Sequence, residues 1–150
     1  MTTTQIDFTE PGIDICTCAS LRKATRLVTQ QYDAALRPAG LRATQFTILS
    51  VLMAKDQMRQ SELAKVLGME GTTLTRNLQP LLKKGWIRID RDDDQRVRLI
   101  SLTPGGKQVH NEAKPMWLQA QTYLVNQLGH GQWASLVASL KSTAEAAEKT

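Results

Sequence analysis

Apolar residues recur at three- and four-residue steps along most of this chain, a period that predicts amphipathic helices. The first stretch runs over about residues 14–37 and carries arginines and glutamines on its opposite face. A second helix, which Thr44 can cap, extends to about residue 54. Its side chains leave almost no polar face, so we expect it to be buried. Two shorter helices follow, at about residues 60–67 and 71–84.

The period changes after the fourth helix. Residues 86–90 and 97–101 are short strand-like runs on either side of a polar turn, which indicates a β-hairpin. Thr103 can cap a long helix over about residues 104–128, and a last helix covers about residues 132–148. The chain is therefore predicted to be mostly α-helical with a two-stranded β-wing.

The order of three helices and a hairpin is that of a winged helix-turn-helix, a DNA-binding arrangement. Ala64 is small enough to let the next helix cross close by, and Gly68 can take the left-handed conformation that the tight turn needs. An Ala-x-x-x-Gly step alone is weak evidence. Followed by an amphipathic helix and a hairpin at this spacing, it is strong evidence for the fold.

The fourth helix separates apolar from polar residues at 100° per residue. One side should face the core and contains Leu74, Leu78, Leu81 and Leu82. The other side contains Thr72, Arg76, Gln79 and Lys83. These polar residue types hydrogen-bond to phosphates and base edges, and arginine is the usual partner of guanine in the major groove. A solvated helix face is the ordinary alternative, but the hairpin and the turn favour DNA contact.

The hairpin tip supplies more basic residues. Arg91, Arg96 and Arg98 are predicted to face the DNA backbone or the minor groove, with Asp94 bracing Arg96. Between residues 41 and 103 the chain has eleven Lys or Arg against seven Asp or Glu, whereas the remainder has eight against seven. Most of the net charge of +5 therefore lies in the segment that should bind a polyanion.

Several motifs resemble the MarR (multiple antibiotic resistance regulator) family. They are SELA at 61–64, TTLTRNL at 72–78, KKGW at 83–86, DQR at 94–96 and SLTPG at 101–105. The resemblance covers about residues 14–146 and implies a single MarR-type domain. In that domain residues 14–40 and 104–148 form the dimerisation helices, and residues 41–103 form the DNA-binding lobe.

The resemblance also implies a mode of DNA binding. The fourth helix would enter the major groove of a pseudo-palindromic operator. A wing-tip arginine, held by an aspartate two residues before it, would enter the minor groove, and Asp94 and Arg96 match that pair. The predicted DNA-binding residues are Thr72, Thr73, Arg76, Gln79, Lys83, Arg91, Asp94, Arg96 and Arg98.

Function follows as an expectation: a homodimeric transcriptional regulator, acting as a repressor, with double-stranded DNA as its partner. A small hydrolase or transferase is the alternative from another class, but no nucleophile–base or metal constellation is evident, and we predict no cofactor or metal. A winged-helix adaptor that binds protein instead of DNA stays open. The lone histidines, His110 and His130, are interpreted as ordinary packing or surface residues.

The signal that controls DNA binding has two candidates. The family commonly responds to small, often aromatic, acids bound between the dimer base and the DNA-binding lobe. Alternatively, Cys16 and Cys18 resemble the first-helix cysteines of family members that sense hydroperoxides, and a helix N-terminus favours the thiolate. The neighbouring pair could also act as a thiophilic sensor that holds a soft metal or an arsenical, although no third ligand is evident. Positions so close rarely suit a mutual disulfide. A buried, purely structural role is the ordinary alternative for both cysteines.

The cellular location is predicted from the absence of membrane-spanning and secretion signals in the sequence. No apolar run approaches the roughly 20 residues of a membrane helix. The polar arm at residues 1–12 has no basic region followed by an apolar core, so no secretion signal is expected. These features predict a cytoplasmic protein without a membrane partner.

Overall fold

The computed structural model describes residue 9 and residues 12–149. The predicted polar arm at residues 1–12 lies outside them, apart from Thr9 and Gly12. The helices are α1 (Thr17–Leu36), α2 (Ala43–Met53), α3 (Gln60–Leu67), α4 (Gly71–Lys83), α5 (Pro104–Leu128) and α6 (His130–Glu148). The strands are β1 (Met58–Arg59), β2 (Ile87–Arg91) and β3 (Arg98–Leu102). The predicted mostly helical fold with a β-wing is therefore confirmed.

Two helix starts differ from the sequence prediction. The first helix begins at Thr17 instead of residue 14, because residues 13–15 form a turn in which the N–H of Cys16 donates to the carbonyl of Gly12 at 3.0 Å. Cys16 is then the N-cap, and its Sγ accepts from the N–H of Ala19 at 3.5 Å. The last helix begins at His130, two residues before the predicted start.

The predicted cap of the second helix is wrong. Helix α2 begins at Ala43, so Thr44 lies inside its first turn. The N–H of Ala43 donates to Oδ1 of Asp33 at 2.7 Å, and the N–H of Arg42 donates to Oε1 of Gln45 at 2.9 Å. Gln45 is a local partner, but Asp33 belongs to α1, so one of the two contacts that fix this helix start comes from another element.

The sheet has three antiparallel strands in the order β1-β3-β2. The hairpin β2–β3 pairs Ile87 with Leu102 and Arg91 with Arg98, one residue later in each strand than predicted. The short β1, absent from the prediction, pairs Met58 with Ile100. It attaches the start of α3 to the base of the wing.

One hydrophobic core joins the C-terminal end of α1, the helices α2 to α4, the sheet and the first half of α5. Its fully buried side chains are Leu36, Ile48, Leu49, Leu52, Leu63, Leu74, Leu78, Leu81, Ile87 and Ile100. Leu82, also predicted to face the core, is 39% exposed. At 100° per residue it lies about 80° around the helix from Leu74, at the edge of the apolar stripe.

Candidate nucleic-acid interface

The turn between α3 and α4 has the predicted geometry. Gly68 takes the left-handed conformation at φ 63°, where a side chain would be strained. The N–H groups of Gly68 and Met69 close the end of α3 on the carbonyls of Lys65 and Ala64, at 3.2 and 2.9 Å. Helix α4 therefore leaves α3 in a fixed direction.

Helix α4 presents its polar stripe to solvent. Thr72, Thr73, Arg76, Gln79 and Lys83 are all exposed, while Leu74, Leu78 and Leu81 anchor the opposite side in the core. Three of the exposed residues, Arg76, Gln79 and Lys83, share one shallow surface depression with Pro80 and Leu82. Two cations and an amide side chain therefore line one continuous strip of the helix.

The wing loop is closed by its own polar groups. Nη1 of Arg91 donates to the carbonyl of Gln95 at 2.5 Å, and the N–H of Val97 donates to the carbonyl of Asp94 at 2.8 Å. Asp94 was predicted to brace the side chain of Arg96. In the structure its Oδ1 instead accepts from the main-chain N–H of Arg96, at 3.1 Å. Asp94 thus orders the loop while the exposed guanidinium of Arg96 extends from it.

A groove of about 900 Å³ brings the two basic elements together. On one side it is lined by Thr72, Thr75 and Arg76 of α4, and on the other by Arg96 and Arg98 of the wing. Four of the predicted DNA-binding residues therefore meet at one surface. Thr73 is exposed outside this groove, and neither Arg91 at the end of β2 nor Asp94 in the wing loop lines it.

Arg59 also lines this groove, and the sequence prediction missed it. It lies in β1 and forms the N-cap position of α3, with its N–H donating to Oε2 of Glu62 at 3.3 Å. Its exposed side chain adds a fourth arginine to the groove, beside Arg76, Arg96 and Arg98. A basic residue just before the first helix of the helix-turn-helix was the signal that could have identified it.

A second cavity, of about 620 Å³, lies between α2 and α5. Its walls include Phe46 and Val51 of α2 and Trp117 of α5. The exposed cations Lys55 and Lys114 also line it. Its volume and mostly apolar lining are those of a small-molecule site.

Comparison with known proteins identifies the family. Residues 41–97 match the model of the MarR family. The transcriptional regulator MosR of M. tuberculosis, solved in complex with DNA, is 36% identical with a TM-score of 0.83. That match covers 89% of this chain and 97% of MosR. The chain belongs to the MarR family.

Two further relatives support this assignment. The multiple antibiotic resistance protein MarR of Salmonella typhimurium is 42% identical over 72 residues, which cover 47% of this chain and 50% of that protein. A mutant MarR of E. coli, solved with operator DNA, is 25% identical with a TM-score of 0.78 over 90% of this chain and 99% of that one.

This MarR-family chain is a DNA-binding transcriptional regulator rather than an enzyme, since its relatives and its fold are those of regulators. Among residues 12–149, no helix combines the length and apolar character needed to cross a membrane.

Proposed function

We propose that this protein is an operator-binding repressor whose DNA surface consists of the outer stripe of α4 and the wing arginines. The observation that carries the proposal is the shared groove, in which Arg76 of α4 and Arg96 of the wing line one surface. A helix inserted in the major groove carries the wing to the flanking minor groove, where a narrow, electronegative groove attracts arginine. A cytoplasmic location, where the DNA lies, is part of the same proposal.

The individual roles follow from chemistry. Arg76 and Gln79 present fixed donors to base edges, whereas Thr72, Thr73 and Lys83 suit phosphate contacts. Arg96 enters the minor groove, and Arg91, Arg98 and Asp94 hold the wing in register and add charge. The further arginine, Arg59, contributes a backbone contact between the two elements.

The proposed working form is a two-fold homodimer, which matches a pseudo-palindromic operator. The dimerisation segments are residues 14–40 and 104–148, and their helices carry an unusual number of exposed large apolar side chains. These are Leu27, Leu118, Tyr123, Leu136 and Leu140, each more than 40% exposed in the single chain. Exposed apolar side chains on these helices favour an interface in which a second copy of the chain covers them.

Sedimentation at micromolar concentration should therefore give about twice 16.7 kDa. A Leu118→Glu variant, which places a charge in the apolar surface, should move the mass toward that of one chain. Val66→Glu is the matched control, because Val66 is 62% exposed but belongs to α3 in the DNA-binding lobe. A wild-type monomer would contradict the two-fold operator model.

The proposed signal is a small aromatic acid bound in the α2–α5 cavity. Phe46 and Trp117 offer ring surfaces to an aromatic body, and Lys55 and Lys114 offer positive charge to its carboxylate. The cavity is bounded by Met58 of β1 and Val66 of α3 as well as by α5. A ligand there touches both the DNA-binding lobe and the long helix that leaves it, so it can change their relative position.

Titration of benzoate into the complex of the protein with an operator fragment, selected from genomic DNA, tests this function. We expect DNA affinity to fall by roughly 5- to 150-fold, the usual size of an allosteric coupling. Lys114→Met, which keeps the side-chain length and removes the charge, should raise the benzoate concentration needed. Lys149→Met is the control: it removes one positive charge at the C-terminal end of α6, outside the cavity, and should leave the required benzoate concentration unchanged. Unchanged DNA affinity with saturating benzoate would contradict the aromatic-acid proposal.

Cys16 and Cys18 support a second candidate signal because both thiols are free and exposed, which does not fit the buried structural role. If an organic hydroperoxide is the signal, it should weaken operator binding by the wild type and spare a Cys16→Ser, Cys18→Ser double variant. Equal responses of the two proteins would exclude thiol sensing.

A further inference from the structure

His110 of α5 lies at the inner wall of the α2–α5 cavity. Its ring is 9% exposed and stacks on Phe46 with a centroid separation of 5.0 Å and an interplanar angle of 9°. Its Nε2 lies 3.0 Å from Oγ of Ser50, and both residues line the cavity. A titratable ring therefore forms part of a mostly apolar site.

The hydrogen bonds of Ser50 assign the proton on this ring. Oγ of Ser50 donates its single hydrogen to the carbonyl of Phe46 at 2.8 Å. It can then only accept from His110, so Nε2 carries the hydrogen of the neutral ring. The lone pair is on Nδ1, which is buried and has no hydrogen-bond partner among the described residues. An unpartnered acceptor of this kind is costly to bury.

We propose that His110 takes up a proton at Nδ1 when an anionic effector binds in this cavity, so that effector binding strengthens as the pH falls. This inference rests on the proposed aromatic-acid function. In the free protein the ring stays neutral, and the effector supplies the negative charge that stabilises imidazolium. The proton comes from solvent and returns to it when the effector leaves.

The charges around the ring determine the direction of the effect. Burial lowers the pKa of His110 below 6.5, and the ammonium of Lys114 acts in the same direction. The Asn111 side chain partly opposes this shift, although no hydrogen bond of standard geometry joins it to Nδ1. Lys55, from the turn after α2, is the other cation lining the cavity. A bound carboxylate offsets both ammonium groups and raises the pKa of the ring in the complex.

The sign of the pH dependence follows by linkage. Above the pKa of the complex, the ring is neutral with and without effector, and affinity does not change with pH. Between that pKa and the lowered pKa of the free protein, binding takes up a proton and affinity rises by up to about tenfold per pH unit of acidification. Benzoate itself stays ionised throughout, because carboxylic acids of this type titrate near pH 4.

Calorimetric titration of benzoate into the 150-residue protein at pH 5.5, 6.5 and 7.5, in two buffers of different ionisation enthalpy, measures affinity and proton uptake together. We expect measurable proton uptake and affinity that rises up to about tenfold over this range. His110→Gln should abolish both while retaining a donor toward Ser50. His130→Gln is the matched control because His130 is exposed at the start of α6, and it should behave as wild type. Benzamide, a neutral analogue, should bind without proton uptake.

Benzoate binding without proton uptake, or with the same uptake in His110→Gln, would overturn the proton-linked role and leave the effector function standing. Absence of benzoate binding at every pH would overturn both. If His110→Gln does not fold, NMR titration of the His110 ring in the wild-type protein tests the proposal instead. Its pKa should rise on addition of benzoate, and an unchanged or lower pKa would overturn the proposal.

Discussion

Replacing Gly106 by alanine should destabilise the protein by about 3 kcal/mol, near the upper end for a side chain forced into a packed site. A Cβ at this position would lie 1.9 Å from the carbonyl oxygen of Trp86 and 3.3 Å from Cδ2 of Leu102. The carbonyl cannot move aside easily, because it accepts from the N–H of Thr103 at 3.1 Å. Thermal melts at fixed protein concentration should show the midpoint lowered by roughly 6–12 °C.

Gly105→Ala is the matched control for this prediction. Its added Cβ would meet its nearest neighbours at 3.7 Å or more, which is ordinary van der Waals contact. Because alanine has the higher helix propensity, this variant should keep or gain stability, by up to about 1 kcal/mol. Equal melting temperatures for the two variants would show that α5 does not pack this closely against the base of the wing.

The close approach at Gly106 belongs to a joint between the dimerisation helix α5 and the DNA-binding lobe. Oγ1 of Thr103 donates to the carbonyl of Gly85 at 2.6 Å and accepts from the N–H of Gly106 at 3.0 Å. The ammonium of Lys84 lies 4.4 Å from the centre of the Trp86 ring and donates to the carbonyl of Gly40 at 2.8 Å. The joint therefore fixes the wing base and the start of α2 to the same end of α5.

Features with local causes could be predicted from the sequence. Thr103 caps α5 as expected, with its Oγ1 on the N–H of Gly106. Gly68 ends α3 in the left-handed conformation at φ 63°, as the tight turn after it required. Each of these signals lies within a few residues of the feature that it specifies, so the local sequence is enough to predict it.

Features that depend on distant partners could not be predicted. The strand β1 has two residues, and only their pairing with Ile100 and Leu99 of β3 makes it a strand. The same holds at the candidate site. The groove position of Arg59 depends on that pairing, and the burial of His110 depends on its stacking against Phe46, 64 positions away in the chain. Periodicity predicts which side of a helix is apolar, but not which neighbour covers it.

The DNA surface should separate into base-specific and general contacts when its arginines are removed one at a time. Arg76→Ala should cost about 1–3 kcal/mol of operator affinity and relax the preference at one base position. Arg96→Ala should weaken binding to all sequences more evenly and reduce the slope of affinity against salt by about one unit. Operator and random fragments, titrated at several salt concentrations, measure both quantities.

Loss of folding must be distinguished from loss of contact in this comparison. Leu74 lies on the core side of the same helix and is 0% exposed, so Leu74→Ala should lower the free energy of unfolding by roughly 2–5 kcal/mol. The arginine variants should melt as the wild type does, because both side chains are exposed. Lys149→Ala removes one positive charge outside the proposed surface and should change neither property. If Arg76→Ala and Arg96→Ala melt and bind operator as the wild type does, the groove between α4 and the wing does not contact DNA.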